Sequence, residues 1–281
     1  MADGTARAAV GATSGTERIS AAFAGAREDG RAALMPYLMG GYPDQETANA
    51  VAEAYVEAGA DLIELGVPFS DPLADGPVIH AAATSALAGG ATLDSVMETC
   101  AAVADRIPVV PMCYANMILA EGPREYAQRV AVAGAAGTIV PDLPLEEAAG
   151  LHAELGERGL PLVPLVAPTT PAARRRWICE RAEGFVYVVS VAGVTGERDE
   201  LPPELGELVA AVRSDAGVPA AVGFGVATPS QAAAVGRIAD GVIVGTRLVR
   251  AAGDERDAAK AADAVAEFIR EARAAMENQN G

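Results

Sequence analysis

Aromatic residues make up only 4% of the 281-residue chain, cysteine occurs three times and histidine twice. With so few rings, the core must be built from Ala, Val, Leu and Ile, the side chains that fill tightly packed helix and sheet layers. Cys100, Cys113 and Cys179 are odd in number, widely spaced and without a CxxC pair. That spacing, with only His80 and His152 as companions, supports neither a disulfide framework nor a zinc site, so the thiols read as reduced cysteines of a cytoplasmic protein. Basic residues are also scarce: 21 Lys and Arg stand against 38 Asp and Glu, a net charge of −17. Such a field repels nucleic acid and anionic membranes, and leaves an anionic small molecule to bind through backbone N–H groups and helix N-termini. No apolar run reaches the roughly 20 residues that span a bilayer, and the chain does not open on a basic stretch followed by an apolar one. The expectation is a disordered tail over residues 1–15, rich in Ala, Gly and Thr, ahead of a single domain over 16–278, with no signal peptide.

Hydrophobic residues, at 51%, are ample for a large core. Short apolar runs at 34–39, 62–65, 109–113, 137–140, 162–166, 185–190, 220–222 and 241–244 read as strands. Longer Ala-rich amphipathic segments at 45–57, 93–105, 123–133, 145–157, 171–182, 204–214, 229–236 and 257–276 read as the helices between them. Leu145, Ala148, Leu151, His152 and Leu155 share one face of the fourth helix, which makes His152 a half-buried face residue and not a ligand. Strands apolar throughout are those buried on both faces, and parallel strands need crossover helices. Eight such units without a linker between them point to a closed (β/α)8 TIM barrel, with a doubly wound open sheet as the runner-up. Ile19, Ala22 and Phe23 share a face of an extra N-terminal helix, capped by Thr16, that would cover the barrel bottom.

The stretch 64–77, ELGVPFSDPLADGP, places Glu64 at the end of an apolar strand and Asp71 and Asp75 in a Pro/Gly-broken loop. A strand holds its carboxylate rigidly, whereas a loop carboxylate can close over a ligand, which is a catalytic layout. Asp75-Gly76 is also an ordinary turn pair. Unusual sequences follow the other strands too: Gly40-Gly41-Tyr42-Pro43-Asp44, Tyr114-Ala115-Asn116, Pro141-Asp142-Leu143-Pro144 and the glycine-bearing loops at 192–196, 223–226 and 245–247. In a barrel these all gather at the C-terminal face, where function resides. Gly225 and Gly245, with Gly196 and the Thr246 amide, would let backbone N–H groups surround a phosphate after strands six to eight.

These motifs identify a resemblance. ELGVPFSDPLADGP, followed in order by CYAN, PDLPLEE, SVAGVTG, VGFGVATP and VGTRLV and preceded by PYLMGGYPD, resembles the tryptophan synthase alpha subunit family over about residues 19–268. The resemblance implies a barrel that cleaves indole-3-glycerol phosphate to indole and glyceraldehyde 3-phosphate by a retro-aldol reaction, with no cofactor or metal. It also implies a pyridoxal phosphate-dependent beta subunit as partner in an alpha2-beta2 complex. By the same resemblance Glu64 is the acid/base, and among Ile63, Leu65 and Tyr187 its ionised form would be disfavoured, as suits a proton donor. Asp75 would accept the indole N–H, Tyr187 would lie beside the glutamate, and Thr195 would belong to the closing loop. Gly196, Gly225, Gly245 and Thr246 match phosphate-binding positions, and Tyr37, Ile139 and Phe224 match the indole pocket or barrel mouth. Val191 stands where well-known enterobacterial members carry an arginine, so loop closure and subunit coupling are expected to differ in detail. A stand-alone lyase releasing free indole is the alternative enzyme; a degenerate, purely regulatory barrel would be expected to lack Glu64 or Asp75, and both are present.

Overall fold

The computed structural model describes residues 13–189, 203–223, 225–255 and 257–277. In chain order the elements are α1 (Gly15–Glu28), β1 (Ala33–Met39), α2 (Gln45–Glu57), β2 (Ile63–Gly66), α3 (Pro77–Ala88), α4 (Leu93–Val103), β3 (Val109–Met112), α5 (Ala115–Glu121), α6 (Pro123–Val132), β4 (Thr138–Ile139), α7 (Ala149–Gly156), β5 (Leu162–Val163), β6 (Leu165–Val166), α8 (Ala172–Cys179), β7 (Val186–Val189), α9 (Pro203–Asp215), β8 (Ala220–Gly223), α10 (Pro229–Gly236), β9 (Gly241–Val244), α11 (Thr246–Asp254) and α12 (Ala258–Glu277).

The strands run parallel in the order β5-β4-β3-β2-β1-β9-β8-β7-β6. β5 and β6 are two halves of the expected fifth strand, interrupted at Pro164, which has no N–H for the ladder. β5 pairs with β4 and β6 with β7, while the Pro164 carbonyl still accepts the Tyr187 N–H at 2.9 Å. The ladder therefore passes around the barrel through one continuous chain segment, and the eight-stranded expectation holds.

Side chains alternate across the sheet with period two. Leu34, Leu38, Ile63, Leu65, Val186, Val188, Val222, Val242 and Val244 pack outward with the helices in the larger apolar cluster. Ala33, Met35, Leu62, Val110, Ile139, Val163, Phe185, Ala221 and Ile243 point inward and form a second cluster with Ile19, Phe23 and Ala26 of α1. α1 thus plugs the barrel bottom as expected, with the Phe23 and Phe185 rings 5.7 Å apart. Its cap is Ser14 and not Thr16: the Ser14 hydroxyl accepts the Glu17 N–H at 3.2 Å and the Glu17 carboxylate accepts the Ser14 N–H at 2.8 Å, a reciprocal box unavailable to Thr16.

Other departures are local. α7 starts at Ala149, so Leu145 precedes the helix, while Leu151 and Leu155 stay buried. His152 is half-buried, its Nε2 4.0 Å from a Glu183 oxygen, the face residue that was expected. α3, α5 and α11 are additional helices, α5 and α11 close after β3 and β9 and α3 after the loop that leaves β2. They are hidden in the sequence because α5 and α11 are short and α3 is apolar around much of its circumference. α3 is wedged against Tyr37, Met39 and Val249 through Ile79, Ala82, Ala83 and Ala86.

Candidate active site

The alternation that builds the core also places the site. Counting inward positions up β2 from Leu62, the next is Glu64 and the last is Gly66; Glu64 pairs in register with Tyr37 of β1 and Val110 of β3. A side chain that faces the barrel interior above an apolar floor is dry, and Glu64 is only 1% exposed. Two phenols flank it, and each needs a missing side chain. A Cβ on Gly66 would lie 2.0 Å from the Tyr37 hydroxyl, and one on Gly223 of β8 would lie 2.5 Å from the Tyr187 hydroxyl. These strand glycines are sockets for the rings beside the glutamate.

The electrostatics follow from that burial. Loss of water around Glu64, reinforced by the nearby Asp75 charge and only partly opposed by the hydrogen bond from Tyr187, pushes its carboxyl up to about 8. Its Oε2 is buried without a hydrogen-bond partner among the described residues. A protonated carboxyl with one open oxygen, facing the mouth of a barrel, is placed to give a proton to a ligand and take one back. Burial, and then the neighbouring carboxylates, hold Tyr37 and Tyr187 well above the ordinary phenol range, so both remain neutral donors.

Asp75 lies on the loop after β2, half-buried. Burial raises its carboxyl, while a hydrogen bond from Tyr114 and the His80 side chain oppose that rise. Tyr114, 1% exposed at the top of β3, also accepts the Ala74 N–H at 3.2 Å, and its ring stacks on Phe69 at 5.2 Å. The Ala115 N–H in turn reaches the Asp142 carboxylate at 2.8 Å. Tyr114 and Asp142 were noticed in the sequence only as odd loop residues; the CYAN and PDLP motifs were the available signals. Asp71, by contrast, is exposed and accepts the Ser70 hydroxyl at 2.6 Å, a loop-shaping contact.

Of the remaining expected residues, Gly245 caps α11 and Thr246 opens it, while Gly225 is exposed after β8. A Cβ on Gly245 would make only ordinary contact with Tyr37, 3.7 Å away, so packing alone does not demand glycine there. Ile139 is fully buried in the inward apolar cluster and pairs in register with Met112 of β3. Thr195, Gly196, Phe224 and Val191 lie outside the described residues, as do residues 1–12 of the expected tail.

A cavity of about 530 Å³ opens at the opposite, N-terminal end of the barrel. Its most buried charge, Arg31, is bidentate to Asp61 at 2.5 and 2.9 Å and reaches Asp29 at 3.0 Å, while Asp61 also accepts the Leu34 N–H at 2.7 Å. These pairings serve stability, although the Arg31 Nε is buried without a hydrogen-bond partner among the described residues, 3.6 Å from a Glu277 oxygen. Among the described residues no group of His, Cys, Asp and Glu could hold a metal ion, and no helix is long and apolar enough to cross a membrane.

Comparisons with known proteins place the chain among sequences and folds of one family. The family model described as tryptophan synthase alpha chain matches residues 23–278. The chain is 48% identical to the tryptophan synthase alpha chain of Prochlorococcus marinus (strain MIT 9313), over 83% of this chain and 86% of that protein. It is 45% identical to that of Synechococcus elongatus, over 93% and 97%. Among solved structures it superposes on Mycobacterium tuberculosis tryptophan synthase with a TM-score of 0.86 at 37% identity, covering 92% of this chain and 98% of that one. On the Legionella pneumophila tryptophan synthase alpha chain the TM-score is 0.83 at 34% identity, covering 94% and 98%.

Proposed function

This chain belongs to the tryptophan synthase alpha chain family, and from that premise we propose how its residues divide the work. The enzyme is a lyase subunit of tryptophan biosynthesis that cleaves indole-3-glycerol phosphate to indole and glyceraldehyde 3-phosphate. Breaking the bond between indole C3 and the glycerol carbon requires a proton on C3, so that the ring becomes an electron sink. The glycerol hydroxyl must lose its proton as its carbon becomes the aldehyde, and the bonding electrons return to the ring.

Glu64 performs both transfers: its protonated form donates to C3, and the carboxylate so formed accepts the hydroxyl proton, which restores the starting state. The observation that carries this reading is a glutamate 1% exposed and raised to about 8, hence mostly protonated at neutral pH, with one oxygen open. Asp75 accepts the indole N–H and stabilises the positive charge that develops on the ring. Tyr187 orients Glu64 and meets the glycerol hydroxyls, and Tyr37, Ile139 and Phe224 bound the indole at the pocket or barrel mouth. The phosphate is held by backbone N–H groups at Gly196, Gly225, Gly245 and Thr246, where the N-terminus of α11 adds its dipole. Thr195 belongs to the loop that closes over the substrate.

The partner is a tryptophan synthase beta subunit in an alpha2-beta2 complex, docked over the barrel mouth, in the cytoplasm. Leu73 and Leu119, 87% and 65% exposed, stand on the loop and helix that leave β2 and β3 on that face. The relatives are named as alpha chains, which does not favour a stand-alone lyase. Measurement of indole release with and without beta subunit tests the reading: strong stimulation is expected, and high activity alone would overturn the coupled role. Glu64→Gln should abolish cleavage with substrate binding largely kept, and near-normal turnover would remove Glu64 as the acid/base.

A further inference from the structure

Asp75 sits on a loop whose neighbours stand in solvent: Leu73 is 87% exposed, and Asp71 and Ala74 are exposed as well. A carboxylate meant to meet one indole N–H cannot be left to the sampling of such a loop, because a misplacement of about 1 Å costs on the order of a hundredfold in rate. The structure ties the loop down at Tyr114. Its hydroxyl accepts the Ala74 N–H at 3.2 Å and donates to the Asp75 carboxylate, and its ring stacks against Phe69 at 5.2 Å with an interplanar angle of 27°. Both ends of the loop therefore meet one side chain.

Tyr114 is itself fixed. It is the cap residue of α5, its carbonyl accepts the Met117 N–H at 3.1 Å, and the next amide, Ala115 N–H, donates to Asp142 at 2.8 Å. Asp142 belongs to the loop after β4, so three consecutive loops of the barrel mouth are joined in one line: Asp142, the Tyr114–Ala115 peptide, and Asp75. A carboxylate at the start of a helix also meets the positive end of its dipole, which favours this anchor.

We propose that Tyr114 and Asp142 are positioning residues that hold Asp75 where the indole N–H will arrive, so that the loop after β4 controls the loop after β2. This rests on the reading of Asp75 given above. The Tyr114 hydroxyl does more than place the carboxylate. A donor to Asp75 favours its ionised form against the burial that raises it, so loss of the hydroxyl should cost both position and charge.

The test uses the full-length chain and five variants: Y114F, D142A, D142N, the Y114F/D142A double variant and D75N. Tyr114→Phe keeps the ring and its Phe69 stack. It should lower kcat about tenfold, the weight of one charge-assisted hydrogen bond, with KM changed less than about threefold. The acid limb of its kcat/KM profile should move to higher pH, and the Ala74 amide should exchange faster with solvent. Asp142→Ala should follow Tyr114→Phe in direction, whereas Asp142→Asn, whose Oδ1 can still accept the Ala115 N–H, should retain most of the activity. The double variant should be no worse than Y114F alone. If Y114F keeps the wild-type kcat, acid limb and Ala74 exchange while D75N is inactive, the strut is refuted and the role of Asp75 stands. Full turnover by D75N would instead refute the role of Asp75 and the strut with it.

Discussion

Glu64 should make the wild-type enzyme less stable as pH rises, and replacing it should expose that cost. Its carboxyl titrates near 4.5 in the unfolded chain but near 8 in the fold. Between those values the folded state binds a proton that the unfolded state has released. Stability from this group is therefore complete below about 4.5, declines as pH rises through the interval, and levels off above 8. At ~1.36 kcal/mol per pKa unit, the loss is about 1 kcal/mol at pH 5 and about 5 kcal/mol at pH 9. Glu64→Gln keeps the shape and cannot ionise. The stability of E64Q relative to wild type should thus grow by about 4 kcal/mol from pH 5 to pH 9, whatever constant offset the amide introduces. Paired urea titrations at steps of one pH unit measure it, because titrating groups that are not coupled to Glu64 are common to both proteins and cancel. A difference that stays flat with pH would mean Glu64 is not held protonated by burial, and the proton-donor assignment would fall with it. Adding Asp75→Asn should shrink the pH-dependent part, since the Asp75 charge is the second cause of the shift.

The same pKa sets a kinetic expectation: kcat/KM should fall above pH 8 as Glu64 loses the proton destined for C3, and a profile flat to pH 9.5 would contradict the assignment. Gly223→Ala should lower kcat at least tenfold without unfolding the barrel, because its Cβ would lie 2.5 Å from the Tyr187 hydroxyl; adding Tyr187→Phe should cost no more, as kinetics and circular dichroism on the pair would report. Phe23→Ala, at the barrel bottom, should cost about 3–5 kcal/mol of stability with kcat nearly unchanged at a temperature where the protein stays folded. Asp61→Ala leaves the guanidinium of Arg31, whose side chain is 1% exposed, without its main partner and should destabilise by about 3–5 kcal/mol in denaturant melts.

Much of this molecule is legible before any coordinates exist. A parallel strand covered on both faces has to be apolar along its whole length, so all eight strand positions stand out, and a lone Glu64 inside such a run stands out more. The plug helix was legible from Ile19 and Phe23, although its cap was misplaced by two residues because Ser14 and Thr16 are equally good capping residues on paper. The break at Pro164 was written in the sequence too, yet it went unread because the apolar run continues through it.

The unread part is what depends on contacts across the chain. Gly66 and Gly223 looked like strand and loop glycines; only the folded barrel reveals that each makes room for a phenol from another strand. Tyr114 and Asp142 are 28 residues apart, and nothing local says that one anchors the other or that both bear on Asp75. Composition, period and motif determined the barrel, its working face and the two carboxylates, because burial and backbone hydrogen bonding act on every residue of an element alike. The direction of the Glu64 shift is legible in the sequence, but its extent and the contacts around Asp75 come from tertiary structure, since desolvation and hydrogen-bond geometry are properties of a place and not of a residue.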